Sequence, residues 1–84
     1  MVRLEAVFQA GLGMSPEIAA KLSQRASKYQ SDILLKCGER ELRLDSLIGI
    51  LSMEMPRGSR VTVVAEGPDE AAAAEDIRGI LIGG

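Results

Sequence analysis

The stretch Ile33-Leu34-Leu35-Lys36-Cys37-Gly38-Glu39-Arg40-Glu41-Leu42-Arg43-Leu44, in the middle of an 84-residue chain, decides how the rest is arranged. Ser31-Asp32 is a turn signal, and the apolar run Ile33–Cys37 that follows reads as a strand. Gly38-Glu39 is a tight turn. Arg40–Leu44 returns, with Leu42 and Leu44 alternating about Arg43, so the two runs form an antiparallel hairpin. Upstream, Ser15-Pro16-Glu17 starts a helix: Ser is a favoured N-cap, Pro is preset for the first helical position, and Glu suits the positive end of the dipole. Ile18, Ala19, Leu22 and Ala26 follow at helical spacing towards Lys28-Tyr29, opposite a polar face of Lys21, Gln24, Arg25 and Lys28. Before the loop Gly11–Met14, residues 2–9 alternate Val2, Leu4 and Ala6 with Arg3 and Glu5, the period of a half-buried strand.

Downstream of the hairpin, Asp45-Ser46 offers two N-cap residues for a short helix over Leu47-Ile48-Gly49-Ile50-Leu51, which Gly49 weakens. Pro56-Arg57-Gly58-Ser59 breaks the chain, and Val61–Ala65 is the strongest strand in the sequence. Gly67-Pro68-Asp69-Glu70, with Asp69 as N-cap, leads into a helix over Ala71–Leu81 with an apolar stripe of Ala73, Ile77, Ile80 and Leu81. The order β-α-β-β-α-β-α predicts an α+β fold, an open-faced β-sandwich in which a four-stranded antiparallel sheet is covered on one face by three helices. The strand after the first helix is expected not to neighbour the first strand, as in a split β-α-β unit.

The composition sets limits on chemistry. At 46% hydrophobic and 26% charged residues the chain is that of a globular domain, and at this size residues 1–84 form a single domain, with room for one modest core. A net charge of −2 argues against direct nucleic-acid binding through a basic field. No apolar run reaches the length of a membrane span and no secretory leader opens the chain, so the expectation is a cytoplasmic protein without membrane contact. The single cysteine, Cys37, excludes an internal disulfide and a multi-cysteine metal site, and is read as a small strand residue. The absence of histidine removes Ser-His-Asp, Cys-His and His-metal chemistry together with any phosphohistidine relay. Neither a cofactor, a metal nor an enzymatic activity is expected.

Three strings in this element order resemble the HPr family of phosphocarrier proteins of the bacterial sugar phosphotransferase system. Gly11-Leu12-Gly13-Met14-Ser15-Pro16 stands where that family carries Gly-Leu-His-x-Arg-Pro. Asp45-Ser46-Leu47-Ile48-Gly49-Ile50-Leu51-Ser52 is similar to its Lys-Ser-Ile-Met-Gly-Val-Met-Ser segment. Val63-Val64-Ala65-Glu66-Gly67-Pro68-Asp69-Glu70 is similar to the Ser-Ala-x-Gly-x-Asp-Glu run that opens its last helix. The resemblance implies a phosphate-carrying histidine at the position of Gly13, a helping arginine at Ser15, a regulatory serine at Ser46, and a partner-docking patch on the residues matching Leu47, Ile48 and Leu51. It implies as partners an HPr kinase/phosphorylase and a transcriptional regulator.

The chain departs from that pattern at the carrier site. Gly13 cannot accept a phosphoryl group, Ser15 supplies no cation, and Glu17 stands where a small apolar residue is usual and would repel phosphate. Gly13, Ser15, Pro16 and Glu17 therefore read as a degenerate phosphohistidine site, and the chain as a non-transferring regulatory member similar in kind to the Crh type. It differs from that type at Ser15, where the arginine is usually kept.

Each remaining feature has two readings. Ser46 is a phosphorylation site or a helix cap, and Asp45 opposes a second negative charge beside it. Of Leu47, Ile48, Ile50, Leu51, Met53 and Met55, not all can face inward on a short surface helix; Met53 and Met55 would suit adaptable docking or fill gaps in the core. Lys21, Arg25 and Lys28 form a basic stripe that is either a solvated face or a contact for an acidic partner. The tail Leu81-Ile82-Gly83-Gly84 resembles those of sulfur-carrier and ubiquitin-like proteins, which would require a β-grasp order of elements and make the terminal carboxylate the reactive group. The chain is a monomer or a homodimer that exchanges its first strand.

Overall fold

The structure is a computed structural model that describes residues 1–45, 47–53 and 55–83. Its elements run β1 (Val2–Val7), α1 (Pro16–Ala26), β2 (Asp32–Cys37), β3 (Arg40–Arg43), α2 (Leu47–Ser52), β4 (Arg60–Glu66) and α3 (Glu70–Leu81). This is the order expected from the sequence. The β-grasp order that the Gly-Gly tail would require is not what the chain adopts. The reactive end of that reading, Gly84, lies outside the described residues, and α3 runs up to Leu81, just before the tail.

The four strands form one antiparallel sheet in the order β1-β4-β2-β3. β4 thus lies between β1 and β2, and the β1-α1-β2 connection is split as the sequence suggested. Register aligns like with like across the sheet: Leu4 with Val63, Val63 with Leu35, and Leu35 with Leu42. With side chains alternating along each strand, one face carries Val2, Leu4, Ala6, Ile33, Leu35, Leu42, Val61, Val63 and Ala65. Against it pack Ala19 and Leu22 of α1, Ile50 of α2, and Ala73, Ala74, Ile77, Ile80 and Leu81 of α3. The other face carries Arg3, Glu5, Thr62, Lys36 and Arg43 and has no helix over it.

The hairpin turn needs Gly38, whose φ is +64°, while Glu39 keeps a negative φ; glycine at the first central position is what a type II′ connection demands. The second glycine that decides geometry is Gly67. A Cβ there would lie 2.6 Å from Ser31 Cα, so only glycine lets the turn before α3 close on the turn before β2. That junction also changes the role of Asp69. It occupies the N-cap position of α3, but its carboxylate makes no capping bond. It instead accepts from the Ser31 hydroxyl and, at 2.9 Å, from the Gln30 N–H. These two bonds hold its carboxyl below the usual carboxylate range, the Ser31 bond contributing most.

Other differences from the sequence reading have similar long-range causes. β1 stops at Val7 rather than Gln9, because the Gln9 N–H leaves the ladder for the Leu81 C=O at 2.8 Å. α1 stops at Ala26, and Ser27 closes it with its hydroxyl on the Gln24 C=O at 2.7 Å. Arg25 does not belong to a free basic stripe: it pairs with Asp76 of α3, and Tyr29 donates to the same carboxylate at 2.6 Å. Met53 and Met55, 4% and 2% exposed, belong to the core and are not available for docking. Among the described residues, no helix is long and apolar enough to cross a membrane, and no group of acidic and cysteine side chains is placed to hold a metal.

Candidate functional site

Two neighbouring surfaces gather the residues singled out in the sequence. The first is the start of α1. Ser15 has extended backbone angles (φ −129°, ψ 162°), and its hydroxyl accepts from the Ile18 N–H at 3.3 Å while its C=O accepts from the Ala19 N–H at 2.9 Å. Pro16 has no N–H to offer, and Glu17 is exposed in the first turn. The helix end that would face an anion is thus occupied by its own serine cap and fronted by a carboxylate. Gly13, Ser15, Pro16 and Glu17 all lie at this helix start.

Gly13 is not sterically crowded: its φ lies outside the left-handed region, and the nearest atom to an added Cβ is the Met55 C=O at 3.8 Å, an ordinary contact, so a Cβ would fit. The loop is braced from below, since the Leu12 C=O accepts from the Arg57 N–H at 3.2 Å, which ties residues 11–14 to the turn after α2. Gly11 sits close over α1, where an added Cβ would come within 3.1 Å of Ile18 Cδ1.

The second surface is α2, which packs beside α1. Six residues with apolar side chains nearly all round cannot bury all of them. Ile50 is fully buried, whereas Leu47 and Leu51 are each 43% exposed and Ile48 81%. The three residues named from the sequence as a docking patch are therefore the exposed large apolar side chains of this helix, with Ser52 exposed beside them. Leu12, 86% exposed on the loop before α1, is a further large apolar side chain at the surface. Sequence reasoning passed it over because a leucine in a glycine-rich loop carries no periodicity to betray its direction. Ser46 lies outside the described residues. Its neighbour Asp45 is exposed and meets Arg43 Nε at 3.5 Å; the same guanidinium reaches Asp32 at 3.1 Å. Asp45 is thus not an uncompensated charge beside the serine.

Among the described residues, the two surfaces are a helix end capped by its own serine and a helix displaying three large aliphatic side chains. Comparison with known proteins agrees on the family. Residues 2–82 match the family model described as PTS HPr component phosphorylation site. A phosphocarrier protein HPr from Bacillus anthracis superposes with a TM-score of 0.89 at 25% identity, covering 95% of this chain and 95% of that one. The histidine-containing phosphocarrier protein of a Mycoplasma gives 0.87 at 26% identity, over 96% and 92%. Crh of Bacillus subtilis, a catabolite repression protein described as a domain-swapped dimer, gives 0.72 at 30% identity, over 96% and 86%. With the match running nearly end to end, the chain belongs to the HPr family of phosphocarrier proteins, whose members are carriers rather than catalysts.

Proposed function

We propose that residues 1–84 act as one HPr-like domain in the cytoplasm that has left phosphoryl transfer and regulates sugar or carbon metabolism by protein–protein contact. The observation that carries this reading is the start of α1. It keeps the family's loop and helix while glycine stands at the acceptor position and Ser15 caps the helix with its own hydroxyl. A phosphate brought to this end would displace the cap and face Glu17. Non-transfer therefore follows from three local changes within an otherwise intact frame.

The working surface is Leu47, Ile48 and Leu51. Their exposure supports docking, because burying about 150 Å² of aliphatic surface supplies a few kcal/mol to a complex, and clustered exposed apolar side chains mark interfaces more often than chance. Ser46 immediately precedes these residues. Phosphorylated by an HPr kinase/phosphorylase, it would put a charge of roughly −1.5 to −2 next in sequence to Leu47, strengthening or weakening contact with a regulator according to that regulator's own charge. The pairing of Asp45 with Arg43 supports the reading by reducing the local repulsion.

The test is incubation with HPr kinase/phosphorylase and ATP, followed by intact mass and peptide mapping. Gain of one phosphate on Ser46, lost in Ser46→Ala, supports the regulatory reading. No phosphate on Ser46 leaves the apolar patch as a constitutive surface and removes the switch.

A further inference from the structure

β1 is an outer strand whose neighbour in the sheet is β4. Its backbone alternates in direction, and four bonds fix which residues point where. Phe8 turns towards the β4 side, its N–H donating to the Ser59 C=O at 2.9 Å and its C=O accepting from the Gly58 N–H at 2.8 Å. Gln9 turns the other way, to Leu81. The Glu5 C=O also turns outward, accepting from Arg78 Nε at 3.2 Å. With a period of two, the amides of Arg3, Glu5 and Val7 face the open edge. The side chains of these residues are exposed, Val7 to 39%.

The two edges of the sheet are guarded differently. β3, at the far edge, has four residues, three of them charged. β1 is longer, with six, and among the described residues Arg78 reaches its edge over the Glu5 carbonyl, which retains a second lone pair. A depression of about 560 Å³ spans β1, β4 and the end of α3 next to this edge, with Val7, Gln9, Arg60, Arg78 and Ile82 in its lining.

We propose that this edge pairs with β1 of a second copy of the chain, antiparallel about a two-fold axis through Leu4. That register sets Arg3 opposite the partner's Glu5 and Glu5 opposite the partner's Arg3, with each pair exchanging backbone N–H···O=C bonds and a cross-strand ion pair on the exposed sheet face. Centring the axis on Arg3 or on Glu5 would set like charges opposite one another. Centring it further along runs into Gln9, whose N–H is already given to Leu81. The charge pattern of the edge is thus self-complementary in one register. The contact is small, so the dimer is weak and concentration-dependent. It differs from exchange of β1 between chains. There Arg3 would lie opposite Val64 of the other copy, as it lies opposite Val64 within one copy, and the charges at positions 3 and 5 would not matter.

The test is sedimentation velocity from about 10 μM to about 1 mM at low salt, a range suited to weak interfaces, on the wild-type chain and on Arg3→Glu, Glu5→Arg and the double variant. All four positions of charge are on the solvent face, and unchanged melting temperatures verify that folding is intact. The expected result is a concentration-dependent dimer, weakened about tenfold or more by each single change and restored towards wild type in the double variant. A chain that stays monomeric throughout, a dimer indifferent to all three variants, or one lost in the singles and not recovered in the double overturns the proposal.

Discussion

The start of α1 and the surface of α2 are neighbouring parts of one family frame with opposite character, the first a self-capped polar helix end, the second aliphatic. At α1 a serine-capped helix follows the loop, Gly13 carries no side chain and Ser15 no charge, which on the proposed function is where the acceptor has been lost. At α2 the aliphatic side chains remain and face outward. On the proposed function, carrying a phosphate and meeting a partner are separable in this fold: the first would depend on a few groups at a helix end, the second on apolar area a helix away.

The largest effect is expected from rebuilding the first surface. Because an added Cβ at Gly13 meets nothing closer than 3.8 Å, Gly13→His should fold normally. With enzyme I and phosphoenolpyruvate, Gly13→His combined with Ser15→Arg should take up phosphate that the parent chain does not, read by intact mass. A well-folded double variant that stays unphosphorylated would show that Glu17 or the docking surface has also moved away from transfer, and would blunt the contrast drawn above.

Within α2 the contrast sharpens to two adjacent kinds of isoleucine. Ile50→Ala removes a fully buried side chain and should cost about 2–5 kcal/mol in denaturant unfolding. Ser15→Ala at the start of α1 should cost about 1 kcal/mol through loss of the cap, a shift of about 4–8 °C in melting temperature for a chain of this size. Ile48→Ala, at 81% exposure, should change stability by less than about 0.5 kcal/mol while weakening capture of a regulator in a binding assay. If Ile48→Ala instead unfolds the chain, α2 is a core element and not a docking surface.

Asp69 supplies a pH-dependent check on the frame that holds both surfaces. Its folded pKa lies below its unfolded value, so its contribution is present above about pH 4 and fades as pH falls through the folded value. Asp69→Asn should therefore lower stability at neutral pH and flatten the acid side of the stability profile, measured by denaturant midpoints between about pH 2 and pH 6.

Much of the fold was readable because the signals were local. Alternation over Val2–Ala6 and over Leu42–Leu44, a two-residue turn at Gly38-Glu39, and Ser15-Pro16-Glu17 each state an element without reference to distant residues. The features that were not readable all depend on long-range partners. Asp69 looks like a helix cap until Ser31 and Gln30 arrive beside it, and Arg25 looks solvated until Asp76 does. Met53 and Met55 follow a short helix whose apolar side chains point in every direction, and periodicity could not say that the chain after α2 turns inward. At the candidate site, the missing acceptor was plain from a residue type, whereas the intact space above Gly13 and the exposure of Leu12 required coordinates.

The central claim is that this helix end does not carry phosphate. The most direct measurement is the intact mass of the wild-type chain after incubation with enzyme I and phosphoenolpyruvate, with a histidine-containing HPr in the same tube as the internal control. The account predicts that the control gains a phosphate while this chain keeps its mass. An acid-labile phosphate on this chain, passed on to a sugar transporter component, would contradict it.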